Sequence, residues 1–221
     1  MSIQQRVIQE NNLAASMIEE GAYDEASSKL CRLYKAYKNC NENEGGDNDK
    51  PSIGLDECMT KGHPMSASVD PDLPFMYSDA IRISFEPAEA EIPEHDVISV
   101  ILFNLALSYH HSALDSMDPD ADLGKALFVY ERLYAMQQGH QENFQSNLMF
   151  MLSVMNNIGI IHQWRSDDAV ANQCFSMLLS ALMLISSNKS QPSKDRTHHA
   201  AVIHGFHRNV ILNIPPCASV A

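Results

Sequence analysis

Three short strings, Asn12-Leu13-Ala14, Asn104-Leu105-Ala106 and Asn157-Ile158-Gly159, recur along the chain, and the residues downstream of each recur too. Twelve residues after the small residue of the first string stands Ala26, and twelve after that of the third stands Ala171. The equivalent in the second copy is Ala126, displaced by eight extra residues that include Asp118-Pro119-Asp120. Four residues beyond the alanines sit Leu30, Tyr130 and Phe175, and three further on sit Leu33, Leu133 and Leu178. Residues three and four apart share a helix face, so each copy reads as two helices. The small residue lets them approach closely, and the bulky residue fills the space between units. Units of this kind cannot bury an apolar face alone and must stack, which restricts the chain to an all-α array of helix pairs.

This pattern resembles the tetratricopeptide repeat. The Gly/Ala of that family's first helix, its turn, and the Ala and aromatic of its second helix have counterparts here. Gly21-Ala22-Tyr23-Asp24-Glu25-Ala26 is close to the family's Gly-x-Tyr-x-x-Ala, and Ser166 to Ala171 is a degenerate version. The family's Trp and closing Pro are missing, and the recurring asparagines lie 92 and then 53 residues apart rather than at a regular period. Phe75 to Ile83 followed by Asn104-Leu105-Ala106-Leu107-Ser108-Tyr109-His110 also looks like tetratricopeptide-like proteins of diatoms, a group that implies no established activity. The resemblance implies an antiparallel helical hairpin array that binds protein partners rather than catalysing a reaction.

The apolar content, 45% of 221 residues, is enough for a sizeable core. Net charge is −13, so the surface repels nucleic-acid backbones and anionic membranes, and neither is an expected partner. Five scattered cysteines, with no CxxC pair, suit the cytoplasm or another reducing intracellular compartment. The longest apolar stretches, 97–109 and 174–185, fall short of the roughly 20 residues that span a bilayer, and no transmembrane segment is expected.

Apolar periodicity predicts helices near 3–20, 23–39, 93–114, 122–138, 142–165, 167–187 and 196–213. The corresponding divisions are a first helix pair in 1–40, an insertion in 41–92, two further pairs in 93–187, and a capping helix with its tail in 188–221. Residues 41–73 are rich in Asn, Asp, Gly, Pro and Ser and read as a loop. Ile81, Ile83 and Phe85 alternate, predicting an extended segment or short strand packed on the helices. The third and sixth helices are apolar on nearly every face, which predicts burial on several sides.

No phosphate-cradling or nucleophile-elbow motif is present, so no catalytic residue and no cofactor is assigned. His198, His199, His204 and His207 cluster in the last helix and could serve a metal- or small-molecule-binding protein, the alternative reading. They lack a carboxylate or HExxH partner, and no metal site is assigned. His111 and Asp115 read as a surface hydrogen bond at a helix end, and His162 as a packing residue. Asp122 reads as an N-cap, since the calcium-loop spacing from Asp118 fails at its Gly and Glu positions.

The resemblance further implies that one face of each first helix lines a groove for a partner. In this register the face carries Asn11, Ala15 and Ile18, then Phe103, Leu107 and His110, then Asn156, Ile160 and Gln163. Its carboxylate-clamping positions are Asn11, Ala15, Asn104, Ser153 and Asn157, without the basic residues that such a clamp uses. A protein-binding scaffold or adaptor is the expected role. The insertion 41–92 stands as a candidate to fill that groove.

Overall fold

Each of the seven periodic segments contains a helix. The structure is a computed structural model that describes residues 2–41, 74–84, 92–139, 147–187 and 196–213. Among these residues it is all-α, with seven helices and no strand. The helices are α1 (Ile3–Glu19), α2 (Tyr23–Asn41), α3 (Glu94–Asp115), α4 (Pro119–Gln138), α5 (Leu148–Trp164), α6 (Asp168–Ser187) and α7 (Arg196–Asn213). Asn41, expected to begin a loop, is the last residue of α2; the rest of that expected loop, 42–73, and the expected helix start near 142 lie outside the described residues.

The chain divides into two compact units. The first contains α1 to α4, the first turn of α5 and the stretch from Ser78 onward; the second contains the rest of α5, α6, α7 and the stretch ending at Tyr77.

In the first unit α1 packs on α2, α2 on α3, and α3 on α4. Ala14 and Ala106 are fully buried, as are Ala26, Ala126, Leu30 and Tyr130, so these recurring small and bulky residues lie in the core, whereas Leu13 is exposed. Leu33 is only half-buried. Phe103 packs between Tyr130, met edge-on, and Phe150, met at a tilt, with centroids at 5.9 and 5.5 Å. An ion pair from Lys29 on α2 to Glu10 on α1 lies along the edge of the helix pair. α3 is buried on almost every face, as its composition predicts. α4 begins at Pro119, not at 122. Proline is at home in a first helical turn, where its missing N–H is one the helix leaves unpaired anyway. Asp118 takes the N-cap position without a side-chain cap, and Asp122 lies inside the helix, bonded to Ser112 and Lys125.

In the second unit Gly159 of α5 meets the Phe175 ring of α6. A Cβ at Gly159 would lie 3.0 Å from that ring and 3.2 Å from the Cβ of Cys174, so the small residue of the repeat sets the helix spacing. α6 departs from the expectation of burial on several sides. Phe175, Leu178 and Leu182 are buried, but Met177, Met183 and Leu184 are exposed, because only the stripe at i, i+3 and i+7 has a covering. α3 and α6 are both long and apolar enough to cross a membrane; most of α3 is buried and most of α6 is not. α7 packs on α6, and its Val202, Phe206 and Val210 are buried while Ile211 is exposed.

The two units share one chain-reversal device. After α1, the amide of Ala22 reaches the carbonyl of Met17 and that of Gly21 reaches Ile18, with Gly21 at φ +80°. After α5, Asp167 reaches His162 and Ser166 reaches Gln163, with Ser166 at φ +59°. Both are Schellman closures, which need a left-handed residue at the position after the cap. Glycine occupies it without strain, whereas serine carries a Cβ that costs about 1 kcal/mol there. Ser166→Gly is therefore expected to raise the unfolding free energy by about 0.5–1 kcal/mol in urea denaturation. A loss of stability would show that the serine side chain contributes more than its backbone strain removes.

Candidate functional site

A buried stretch of chain outside regular structure needs partners for its peptide groups, because unpaired buried N–H and C=O groups are costly. Residues 74–84 form such a stretch. Tyr77, Ile81 and Ile83 are each at most 2% exposed, and no strand lies beside them among the described residues. Asparagine side chains serve in place of a neighbouring strand.

In the first unit, Asn104 of α3 grips Ile81 at both peptide groups. Its Oδ1 accepts from the Ile81 amide at 2.8 Å and its Nδ2 donates to the Ile81 carbonyl at 2.8 Å. Asn12 of α1 does the same to Ile83, at 2.9 and 2.8 Å. Asn11 completes the set by donating to the Ile81 carbonyl at 3.2 Å and accepting from Asn104 at 3.0 Å. In an extended backbone the N–H and C=O of one residue point to the same side, and those of the next residue to the other. Grips therefore fall on alternate residues, 81 and 83. Asparagine suits the task because its amide carries one acceptor and one donor group side by side, like a peptide edge.

The second unit repeats the arrangement part for part. Asn209 of α7 grips Phe75 at both groups, each at 2.7 Å. Asn157 of α5 grips Tyr77, each at 3.0 Å. Asn156 donates to the Phe75 carbonyl at 2.9 Å and accepts from Asn209 at 2.6 Å. Both clamps thus use an Asn-Asn pair from one helix and a third asparagine from another, with the gripped residues two apart.

Side chains of the gripped segment are held as well. The Phe75 ring lies where a Cβ on Gly205 would be, so that glycine forms the floor of its slot, and Phe206 meets the ring edge-on at 5.8 Å. In the first unit the Arg82 guanidinium donates to the Asn12 carbonyl at 3.0 Å, the Ser16 hydroxyl at 3.1 Å and Glu19 Oε2 at 2.6 Å. Glu19 Oε1 is buried and receives no hydrogen bond.

The residues expected to line a groove divide between the clamps and the core. Asn11 and Asn156 belong to the two clamps. Ile18, Phe103, Leu107, His110 and Ile160 are fully buried, so they offer no open surface, and Ala15 is buried beside them. Gln163 is half-buried, and its Oε1 is enclosed without a hydrogen bond. His111, expected at the surface, is buried and stacked on Tyr23 at 5.0 Å. Burial lowers its pKa against an opposing hydrogen bond to the Ser78 backbone. His162 contacts Asp167 at 3.2 Å. His204 is exposed and His207 half-buried, and among the described residues no three His, Cys, Asp or Glu side chains gather as a metal site. Cys31 and Cys174 are half-buried, the former 3.4 Å from the Tyr109 hydroxyl.

The sequence marks Asn12, Asn104 and Asn157 as recurring but does not show their task, and it leaves Asn209 unmarked. The available signal is spacing: Asn209 lies 52 residues after Asn157, almost the interval between Asn104 and Asn157. Its successors, Val210 and Ile211, lack the small residue that marks the other strings. No family model, no curated protein and no solved structure matches the chain.

Asn104→Ala removes both bonds to Ile81 and the bond to Asn11, leaving buried polar groups short of partners at about 1–3 kcal/mol each. The expected loss of stability is about 3 kcal/mol or more, with the Ile81 amide losing its protection in hydrogen exchange. Retained protection at Ile81 would mean that the segment is held by side-chain packing alone.

Complete burial pushes the pKa of His110 down to about 3, with repulsion from His111 adding to the effect. The unfolded chain takes up a proton at this residue near the ordinary value of about 6.5, and the folded chain does not. Between those values the unfolded state holds more protons, so stability present at neutral pH is lost as the pH falls. The slope from this residue is at most about 1.4 kcal/mol per pH unit. His110→Gln should show a visibly shallower loss between pH 7 and pH 4 in denaturant titrations; an unchanged slope would remove His110 from the acid sensitivity.

Proposed function

We propose that the chain is a non-catalytic protein-interaction scaffold whose helical units hold extended polypeptide by its main chain. The observation that carries this reading is the repeated clamp, in which three asparagines grip both peptide groups of two alternate residues. Main-chain bonds supply affinity for any extended segment, and flanking pockets supply selectivity, as they do when a peptide adds to a sheet edge. The tetratricopeptide-like pairing of helices in the sequence agrees with such a role, and so does the lack of catalytic motifs. In this reading the chain's own residues 74–84 are the resident occupant of the clamps. The acidic composition and scattered cysteines favour a protein partner in the cytoplasm or another reducing compartment.

The test is quantitative proximity labelling in cells, with the intact chain beside Asn12→Ala/Asn157→Ala. Circular dichroism first establishes that the double variant remains helical. Partners enriched with the intact chain and lost with the folded variant are expected. Identical sets of neighbours would take the clamps out of partner binding.

A further inference from the structure

The two clamps grip main chain alike, but they differ in how they treat the side chain between the gripped residues. In the first unit that residue is Arg82, and three groups of α1 receive its guanidinium: the Asn12 carbonyl, the Ser16 hydroxyl and the Glu19 carboxylate. On either side, Ile81 and Ile83 are buried to 1% and 2% exposure. The binding surface therefore reads three consecutive residues, as apolar, basic and apolar. Glu19 is not saturated by its resident, since Oε1 is buried and takes no hydrogen bond. A guanidinium seated side-on could fill both oxygens, which the resident arginine does not do. The geometry points to α1 and α3 of the first unit as a binding site for an extended apolar–Arg–apolar peptide of a partner protein, with residues 81–83 acting as a built-in competitor.

This proposal rests on the scaffold reading and names the partner's chemistry. A partner with a basic centre suits the site better than a second copy of this chain. Each copy carries a net charge of −13, so two copies repel, whereas a basic segment is attracted to the same field and to Glu19. Covalent attachment gives the resident segment a high effective concentration, so the intact chain takes up an outside peptide only weakly. Weakening the resident grip at Arg82 opens the site without touching α1 or α3.

The experiment uses the full chain and a fluorescent peptide, Ser-Asp-Ala-Ile-Arg-Ile-Ser, which copies residues 78–84. A second peptide carries Glu at the central position. Binding is read by polarisation on the wild type, on Arg82→Glu and on Glu19→Arg/Arg82→Glu, each checked for helix by circular dichroism. The expected result is that Arg82→Glu binds the Arg-centred peptide at least about tenfold tighter than the wild type does, and about tenfold tighter than it binds the Glu-centred peptide. The double variant restores an internal ion pair and should close the site again. Equal binding of the two peptides would overturn recognition by Glu19 while leaving main-chain gripping, and the scaffold reading, in place. No binding by a folded Arg82→Glu chain would overturn both for this unit, making 81–83 a fixed part of the core. Dimerisation of that variant without peptide uptake would assign the site to a second copy and overturn the proposal. Should Arg82→Glu lose its helical signal, the Arg-centred peptide is given a photocrosslinker and offered in large excess to the wild type. Adducts on α1 would then support the site, and their absence would overturn it.

Discussion

A peptide group buried without a partner is among the costliest things a small protein can contain, and in this chain asparagine removes that cost. Residues 74–84 are neither helix nor strand, yet they carry several of the most deeply buried side chains in the molecule. Without Asn104, Asn12, Asn209 and Asn157, six backbone groups of Ile81, Ile83, Phe75 and Tyr77 would lose these hydrogen bonds, and the carbonyls of Ile81 and Phe75 would keep only those from Asn11 and Asn156. The apolar gain of seating those side chains is available only because the four amides face the chain. The helices in turn are spaced to leave room: Gly205 yields its Cβ volume to Phe75, and the recurring small residues set the helix contacts.

Much of the fold is legible in the residues. Helix positions follow from apolar spacing at three and four, because a helix has to present one such stripe to its neighbours whatever the rest of the fold does. Ala26, Ala126 and Ala171, with Leu30, Tyr130 and Phe175, are readable as contact positions for the same reason, and all six are buried. The start of α4 lies earlier than its sequence suggests because Asp122 has the chemistry of an N-cap. The helix gains nothing by waiting for it when Pro119 already has a helical φ. Exposure along α6 is not readable, since an all-round apolar helix carries no mark of which sides will find a covering.

The site is legible in its parts and not in its purpose. Asn12, Asn104 and Asn157 stand out as the first residues of the recurring strings, and 81 to 85 stand out by alternation. Nothing in one dimension connects the two, because the bonds between Asn12 and Ile83 join residues 71 positions apart. An asparagine within a helix also has several ordinary explanations, among them solvation and capping. Asn209 leaves even less trace. Its role as the third clamp residue depends on the placement of α7 within its unit, and the flanking residues share no pattern with the other strings.

The use of asparagine also exposes the molecule to a slow chemical hazard. Hydrolysis of a side-chain amide exchanges one nitrogen for an oxygen of almost the same size, so the shape of a clamp would survive while its sense reversed. A carboxylate facing the carbonyl of Tyr77 or Ile81 offers a lone pair where a hydrogen stood, and attraction becomes repulsion. The spontaneous route to that exchange runs through attack by the following backbone nitrogen, which needs a pliable chain and a small neighbour. Here the four gripping asparagines are followed by Leu13, Leu105, Ile158 and Val210, every one bulky and every one inside a helix. The helical setting that aims the amides thus also shields them from ageing, and lifetime and recognition are set by the same local geometry.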